Sequence, residues 1–241
     1  MKKFNHLNRI IMKKEKRIWI LQSMLIGMIL VFISSCKKEK ENVTVTDIGG
    51  NIYHTVTIGT RVWMGENLKT TKYSNGDSIG TTTPANLNIS GQSTPKYQWA
   101  YGGIEGNVAT YGRLYTWYAV TDSRNICPTG WHVPTNDELT TLITNFGADS
   151  ISGAKLKETS TTHWKSPNTG ATNESGFTAL PGGYRGYEGS FYYLGYTGYW
   201  WSAMESDAAN AWYRGLYYNN KTVHSLSNSK KVGFAVRCLR N

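Results

Sequence analysis

Between Tyr184 and Tyr218 the sequence places thirteen aromatic residues in 35 positions, interleaved with Arg185, Glu205, Asn210, Arg214, Asn219 and Asn220. Rings with polar tips offer a large contact area at small entropic cost. Beside amides and a guanidinium they suit sugars, peptides or protein surfaces. Strand alternation divides Trp212 to Tyr218, with Trp212, Arg214, Leu216 and Tyr218 facing one way and Tyr213 and Tyr217 the other. Trp200, Trp201 and Trp212 are assigned to the core. Tyr213, Arg214, Tyr217, Asn219 and Asn220, together with Glu205, are the candidate ligand-binding residues, expected on an exposed face.

Residues able to do covalent or acid–base chemistry do not fall into a reactive spacing. The chain has no Gly-x-Ser-x-Gly elbow, Walker loop or Rossmann fingerprint. The glycine-rich run Gly182 to Gly189 reads as a turn, since no helix follows to aim amides at a phosphate. His54, His132, His163 and His224 lack a His-x-x-x-His ligand spacing, and His132, between Trp131 and Val133, is read as a structural hydrogen-bonding residue. Glu174, Glu188, Glu205 and Asp207 are scattered; a calcium site built from them stays open but has no motif behind it. A glycosidase carboxylate pair also stays open, because its separation of roughly 5–10 Å is a three-dimensional property. The expectation is no catalytic residue, no metal and no cofactor.

The chemistry at the amino terminus is more specific. Seven basic residues from Lys2 to Arg17 precede an apolar run from Ile18 to Ile33, long for a signal core and short for a membrane span. Ile33-Ser34-Ser35-Cys36 then resembles the lipobox of bacterial lipoproteins, in which the signal is cleaved and the cysteine acylated. Two or three acyl chains anchor a protein stably where one does not. Residues 1–35 are therefore read as a lipoprotein signal peptide, begun at Met1 or Met12, with an uncleaved membrane helix as the alternative. Residues 36–46 are read as lipidated Cys36 and a charged tether, whose stretch to Asn42 reaches about 20 Å if extended. The expected place is the bacterial cell envelope, lipid-anchored at the outer membrane, periplasmic or surface-exposed. With Cys36 committed to lipid, Cys127 and Cys238 remain, and in an oxidising compartment an even pair is expected to be bridged. The rival is zinc with His132, for which the paired spacing of a structural site is missing.

Removal of the signal leaves 206 residues, enough for one domain, with 19 basic against 15 acidic residues. A net charge near +4 is ordinary, and no basic stripe survives to track phosphates, so nucleic acid is excluded as a partner. Within 47–241, Ile52 to Thr57 and Arg61 to Met64 read as a hairpin. Residues 73 to 107 read as a long surface excursion. Two helices are expected. Leu114, Trp117 and Tyr118 share a face in Tyr111 to Val120; Thr135 to Glu138 forms a capping box before Leu139, Leu142, Ile143 and Phe146, with Gly147 to end the helix. No further long helix is expected. Short β-prone runs follow at Phe177 to Leu180, Phe191 to Leu194, Tyr199 to Ala203, Ala211 to Tyr218, Thr222 to Leu226 and Gly233 to Leu239. The expected class is α+β, two helices with a mainly antiparallel twisted sheet and long loops.

Five ordered motifs carry a resemblance over nearly all of this region: Val62 to Thr71, Tyr111 to Trp117, Cys127 to Thr135, Gly198 to Ser202 and Val236 to Cys238. Together they resemble the Fibrobacter succinogenes major paralogous domain, whose members are typically secreted or lipid-anchored envelope proteins without an established activity. More distantly, Trp131 to Thr135 entering a capped helix, Trp200-Trp201-Ser202 and a terminal Gly233 to Arg237 strand look like the C-type-lectin-like fold of formylglycine-generating enzymes and variable receptor domains. That likeness implies a terminal strand beside the first ones, which suits a Cys127–Cys238 bridge. It carries over no catalytic residue, since the copper-binding cysteine pair has one counterpart at most, and no Glu-Pro-Asn, Gln-Pro-Asp or Trp-Asn-Asp calcium motif occurs. The expected function is non-catalytic recognition of a glycan or protein, with a carbohydrate-active envelope enzyme or a structural and assembly role as alternatives.

Overall fold

The computed structural model describes residues 43–241, together with Met12 and Lys14. The remainder of the signal region, Cys36 and the tether as far as Asn42 lie outside the described residues. The polar stretch Thr44–Thr46, which reads as tether, is strand β1 and pairs with Ile52–Ile58 (β2). The turn between them is built by Asp47, whose carboxylate accepts from the Gly49 and Asn51 amides and from the Tyr53 hydroxyl at 2.6 Å. Strand β2 continues into β3 (Arg61–Met64) as the expected hairpin.

Among the described residues the strands form three sheets with antiparallel strand pairs, alongside a few short helices. The first has the order β1-β2-β3-β13-β6, in which β13 (Leu239–Arg240) lies between β3 and β6 (Trp131–His132). The last strand thus pairs with an early one, Leu239 opposite Trp63. Cys127 and Cys238, just ahead of these neighbouring strands, are disulfide-bonded with 6.0 Å between their Cα atoms. The second sheet is β11-β10-β9, from Thr197–Glu205 (β9), Asn210–Tyr217 (β10) and His224–Ser229 (β11). The third is β4-β5-β12-β7-β8: Gln98–Ala100 (β4), Arg113–Thr116 (β5), Gly233–Phe234 (β12), Tyr184–Arg185 (β7) and Phe191–Tyr192 (β8).

The first expected helix does not form as read. Val108–Tyr111 (α1) and Trp117–Val120 (α2) are single turns separated by strand β5. Gly112 breaks the run: it has φ of +72°, and a Cβ there would lie 2.6 Å from Asn67 Cβ and 2.8 Å from the Leu68 carbonyl oxygen. Pairing of Tyr115 and Thr116 with Phe234 and Gly233 then overrides the helical spacing. The second helix, α3 (Asn136–Thr144), carries the full capping box: Thr135 accepts from the Glu138 amide while the Glu138 carboxylate accepts from the Thr135 amide. A further helix, α4 (Asp149–Leu156), escapes the pattern because its buried face is made of small residues, Ser152, Gly153 and Ala154, plus Leu156. Gly153 admits the chain itself: a Cβ would meet the carbonyl oxygens of Lys221 and Thr222 at 2.7 and 2.9 Å.

Residues 73–107 are irregular but not merely superficial, since Tyr73, Ile79, Ile89 and Trp99 are buried and β4 lies in the third sheet. Arg185, wholly buried, pins this stretch by stacking 4.0 Å over Trp99 and donating to the carbonyls of Ala85 and Leu87.

Strand β9 divides the interior. Tyr199 and Trp201 enter a cluster with Tyr115, Tyr213, Phe234 and the disulfide, while Trp200 enters another with Trp63, Leu139, Leu142, Trp164, Phe177 and Leu216. Alternation thus works along β9, but around Tyr199–Trp201 and Tyr213–Arg214 both faces of the second sheet are covered, while Ser225, Leu226 and Ser227 of β11 stay exposed.

Candidate functional site

Double covering corrects the proposed exposed face. Tyr213 is 7% exposed and packs on Phe234, with ring centroids 4.6 Å apart. Arg214, on the other face, is 5% exposed and holds the start of α3: it donates to Asn136 Oδ1 at 2.8 Å, to the Asn136 carbonyl at 3.2 Å and to Thr140 Oγ1 at 3.0 Å. Both residues read as surface because alternation supposes one solvated face, and at this point of β10 neither face is solvated. Trp200 and Trp201 are buried as expected, whereas Trp212 is only half-buried.

The other candidates are divided between two places. Glu205 pairs with Lys230 Nζ at 2.7 Å beside the start of β10, where Glu205 lies opposite Ala211. Tyr217 ends that strand six residues later, about 20 Å away at the rise of a strand. Asn219 is exposed in the following turn. Asn220 turns inward, its carbonyl accepting from Lys157 Nζ at 3.0 Å and its Oδ1 from the Thr222 amide at 3.0 Å. Wholly buried Lys157 also donates to the carbonyls of Thr169 and Tyr217, at 3.2 and 3.1 Å, and burial pushes its ammonium down to about 8.

Around Tyr217 the chain gathers rings that its linear order does not group. Tyr217 meets His224 of β11 edge-to-face at 4.8 Å and Tyr199 at 5.9 Å; Tyr199 meets Tyr184 at 5.7 Å. Tyr184 stacks on Tyr192 at 5.1 Å and has Tyr193 at 6.0 Å. Tyr184, Tyr192, Tyr217 and His224 are half-buried, Tyr193 is 56% exposed, and Tyr199, Tyr213 and Phe234 form the buried layer beneath them.

Consecutive residues of a strand point to opposite faces, so Tyr192 and Tyr193 should not both reach Tyr184. They do because Tyr193 has φ of +60°, a left-handed backbone that costs a bulky residue about 1–3 kcal/mol. The turn is held by the Tyr193 carbonyl, which accepts from the amides of Tyr196 and Thr197. Local strain is thus used to bring a second ring to the same side. Burial raises the phenols of Tyr184 and Tyr199 above their ordinary range and pushes Tyr213 up to about 12, so all three stay protonated. His224 Nε2 is buried and has no hydrogen-bond partner among the described residues. Aromatic density marks Tyr184, Tyr192 and Tyr193 in the sequence. Nothing in their spacing joins them to Tyr217 and His224.

Residues 56–240 match the family model of the Fibrobacter succinogenes major domain. The chain belongs to this family. No curated protein and no solved structure matches it. The stretch assigned to the Fibrobacter succinogenes major domain contains both disulfide cysteines and the whole tyrosine layer; β1 and the Asp47 turn precede it.

The remaining polar candidates of the domain are engaged locally. His132 joins Glu138 at 3.0 Å and Asn241 at 2.6 Å, in keeping with a structural role, while His54 pairs with Glu66 and His163 with Glu158. Of the scattered acids, Glu174 pairs with Lys155 and Asp207 accepts from the Ala209 and Asn210 amides. Beside the disulfide a cleft of about 220 Å³ is lined by Val45, Asp47, Thr70, Ser74, Cys127 and Thr129 among others. The Asp47 carboxylate in it is already saturated by its turn.

Proposed function

We propose that this chain is a lipid-anchored protein of the bacterial cell envelope whose single domain, a C-type-lectin-like fold, recognises a glycan or protein ligand without performing chemistry. The observation that carries the reading is the half-exposed tyrosine layer of Tyr184, Tyr192, Tyr193 and Tyr217 with His224, maintained by a strained backbone at Tyr193. Amphipathic rings fixed by packing lose little entropy on binding, and unfavourable backbone geometry concentrates at functional surfaces. The C-type-lectin-like reading is supported by the β13–β3 pairing, which brings the terminal strand beside an early one, and by the capped helix after β6.

The layer differs from the face that alternation along β10 alone would expose. Tyr217 stays in the site and Asn219 stays at its edge. Tyr213 supports it from beneath, Arg214 faces away from it toward α3, and Glu205 lies apart.

A glycan array probed with the full chain, with and without calcium, is the test, run beside a hydrolysis assay on the same sugars. Retention that is lost in Tyr217→Ala is expected. Turnover without retained ligand would instead support a carbohydrate-active envelope enzyme, and neither retention nor turnover would reject the glycan and leave a protein ligand or an assembly role. Metabolic palmitate labelling, abolished in Cys36→Ala, is expected from the anchor; a label that persists in that variant rejects Cys36.

A further inference from the structure

We infer that the β1–β2 hairpin is a membrane-docking edge, which seats the domain on the bilayer that holds its acyl chains. The inference goes beyond ligand recognition and rests on the proposed lipid anchor. Val43, Ile48 and Ile52 are 48%, 55% and 59% exposed, three apolar side chains within ten residues at the point where the tether enters the fold. Scattered exposed apolar residues need no explanation; three on one short hairpin do. Strand alternation does not require an isoleucine there. The other outward positions of the two strands, Thr44, Thr46, His54 and Thr57, are polar, and Ile52 lies opposite Thr46. Ile48 also lines the cleft beside the disulfide, yet more than half of it stays in solvent.

The turn holds these side chains out on a fixed support. The Asp47 carboxylate accepts from the Gly49 and Asn51 amides, from Asn51 Nδ2 and from the Tyr53 hydroxyl, whose oxygen in turn accepts from the Lys69 amide. The occupant follows from the length of the chain that precedes the hairpin. Residues 36–42 join the acylated cysteine to Val43 and reach about 20 Å if extended, while Ile52, level with Thr46, is three strand residues or about 10 Å from Val43. A bilayer is thus the surface always within reach, and attachment makes even a weak apolar contact effective by holding it at high local concentration. Charge agrees. Lys69 lies beside the hairpin with its Nζ 5.7 Å over the Tyr53 ring, and Lys72 is exposed two residues past cleft-lining Thr70. Of the nearby acids, Asp47 is buried in its turn and Glu66 is paired with His54. Basic groups beside an apolar edge suit anionic headgroups.

Fluorescence quenching of the full lipid-anchored chain tests this, in vesicles of three parts phosphatidylethanolamine to one part phosphatidylglycerol that carry a doxyl group on the acyl chains. A nitrobenzoxadiazole label is attached at Ile48→Cys or Ile52→Cys and, for reference, at Leu226→Cys in the second sheet. Cys127 and Cys238 are bridged and buried, so they take no label. Quenching at the two hairpin positions is expected to exceed that at the reference by about threefold or more. Equal quenching at all three, in a chain that floats with the vesicles, overturns the docking and leaves the anchor standing. A chain that does not float overturns the anchor, and the docking with it. Shielding of the hairpin label from aqueous iodide without doxyl quenching assigns this edge to a protein partner and overturns the proposal. Ile48→Ser/Ile52→Thr, labelled at Thr46→Cys, keeps the strand β-branched and should show about threefold less quenching than the same label beside both isoleucines. Undiminished quenching in that variant removes the isoleucines from the contact and overturns the proposal.

Discussion

Tyr213 and Tyr217 are four positions apart on one strand, yet they are expected to respond differently to truncation. Tyr213→Ala empties space beneath the layer, against Trp201 and Phe234, and should cost about 3–5 kcal/mol of stability in urea denaturation. Tyr217→Ala removes a half-exposed ring and should cost no more than about 2 kcal/mol while ligand retention is lost. A Tyr217→Ala variant that unfolds as readily as Tyr213→Ala would place Tyr217 in the core. Asn219→Ala should move stability by less than about 0.5 kcal/mol. The contrast explains what could be read from residue types. Ring density marked the stretch that supplies most of the tyrosine layer, and Trp200 and Trp201, read as core, are buried, whereas Trp212 is half-buried. Exposure could not be read, because it depends on α3 and on Phe234, which cover β10 from regions remote in the sequence.

At the level of elements, signals confined to a few neighbouring residues survive folding best. The capping box of α3 is one of them, and Thr135→Ala should cost about 1 kcal/mol, measured as a shift in urea midpoint. Helix α4 had no such signal, since its buried face is cut small to admit the turn at Lys221 and Thr222. Its end contributes Lys157, which ties that turn and Thr169 to the end of β10. Around it, Glu158 is engaged with His163 and Glu174 with Lys155, while Lys165 and Lys221 are the cations of the two facing loops. Lys157 titrates near 8 in the fold, whereas an unfolded lysine keeps its proton to about 10.4. Between these values the unfolded chain binds more protons, so stability should rise with pH, by at most about 3 kcal/mol. Urea midpoints from pH 8 to 10 should climb, and Lys157→Met should flatten that climb while lowering stability throughout, because three carbonyls lose their donor. A falling midpoint in the unaltered chain would show that the ammonium is favoured by its carbonyls more than burial opposes it.

For the molecule as a whole, the cross-link from Cys127 to Cys238 closes a separation of 111 residues. Its reduction should lower stability by about 4–5 kcal/mol, measured by urea denaturation with and without reductant. A smaller loss would mean that β13, seated between β3 and β6, holds its place without the bond. The pairing of these cysteines was legible from their number and the expected compartment. The sheet order was not, because nothing local in Leu239 and Arg240 records that Trp63 and His132 are their neighbours. That order sets the timing of assembly. With an interior strand supplied by residues 239 and 240, the first sheet cannot be completed while the ribosome still shields them. A prematurely terminated polypeptide would lack both a sulfur and an interior strand, and so would remain open to proteases that spare the finished product.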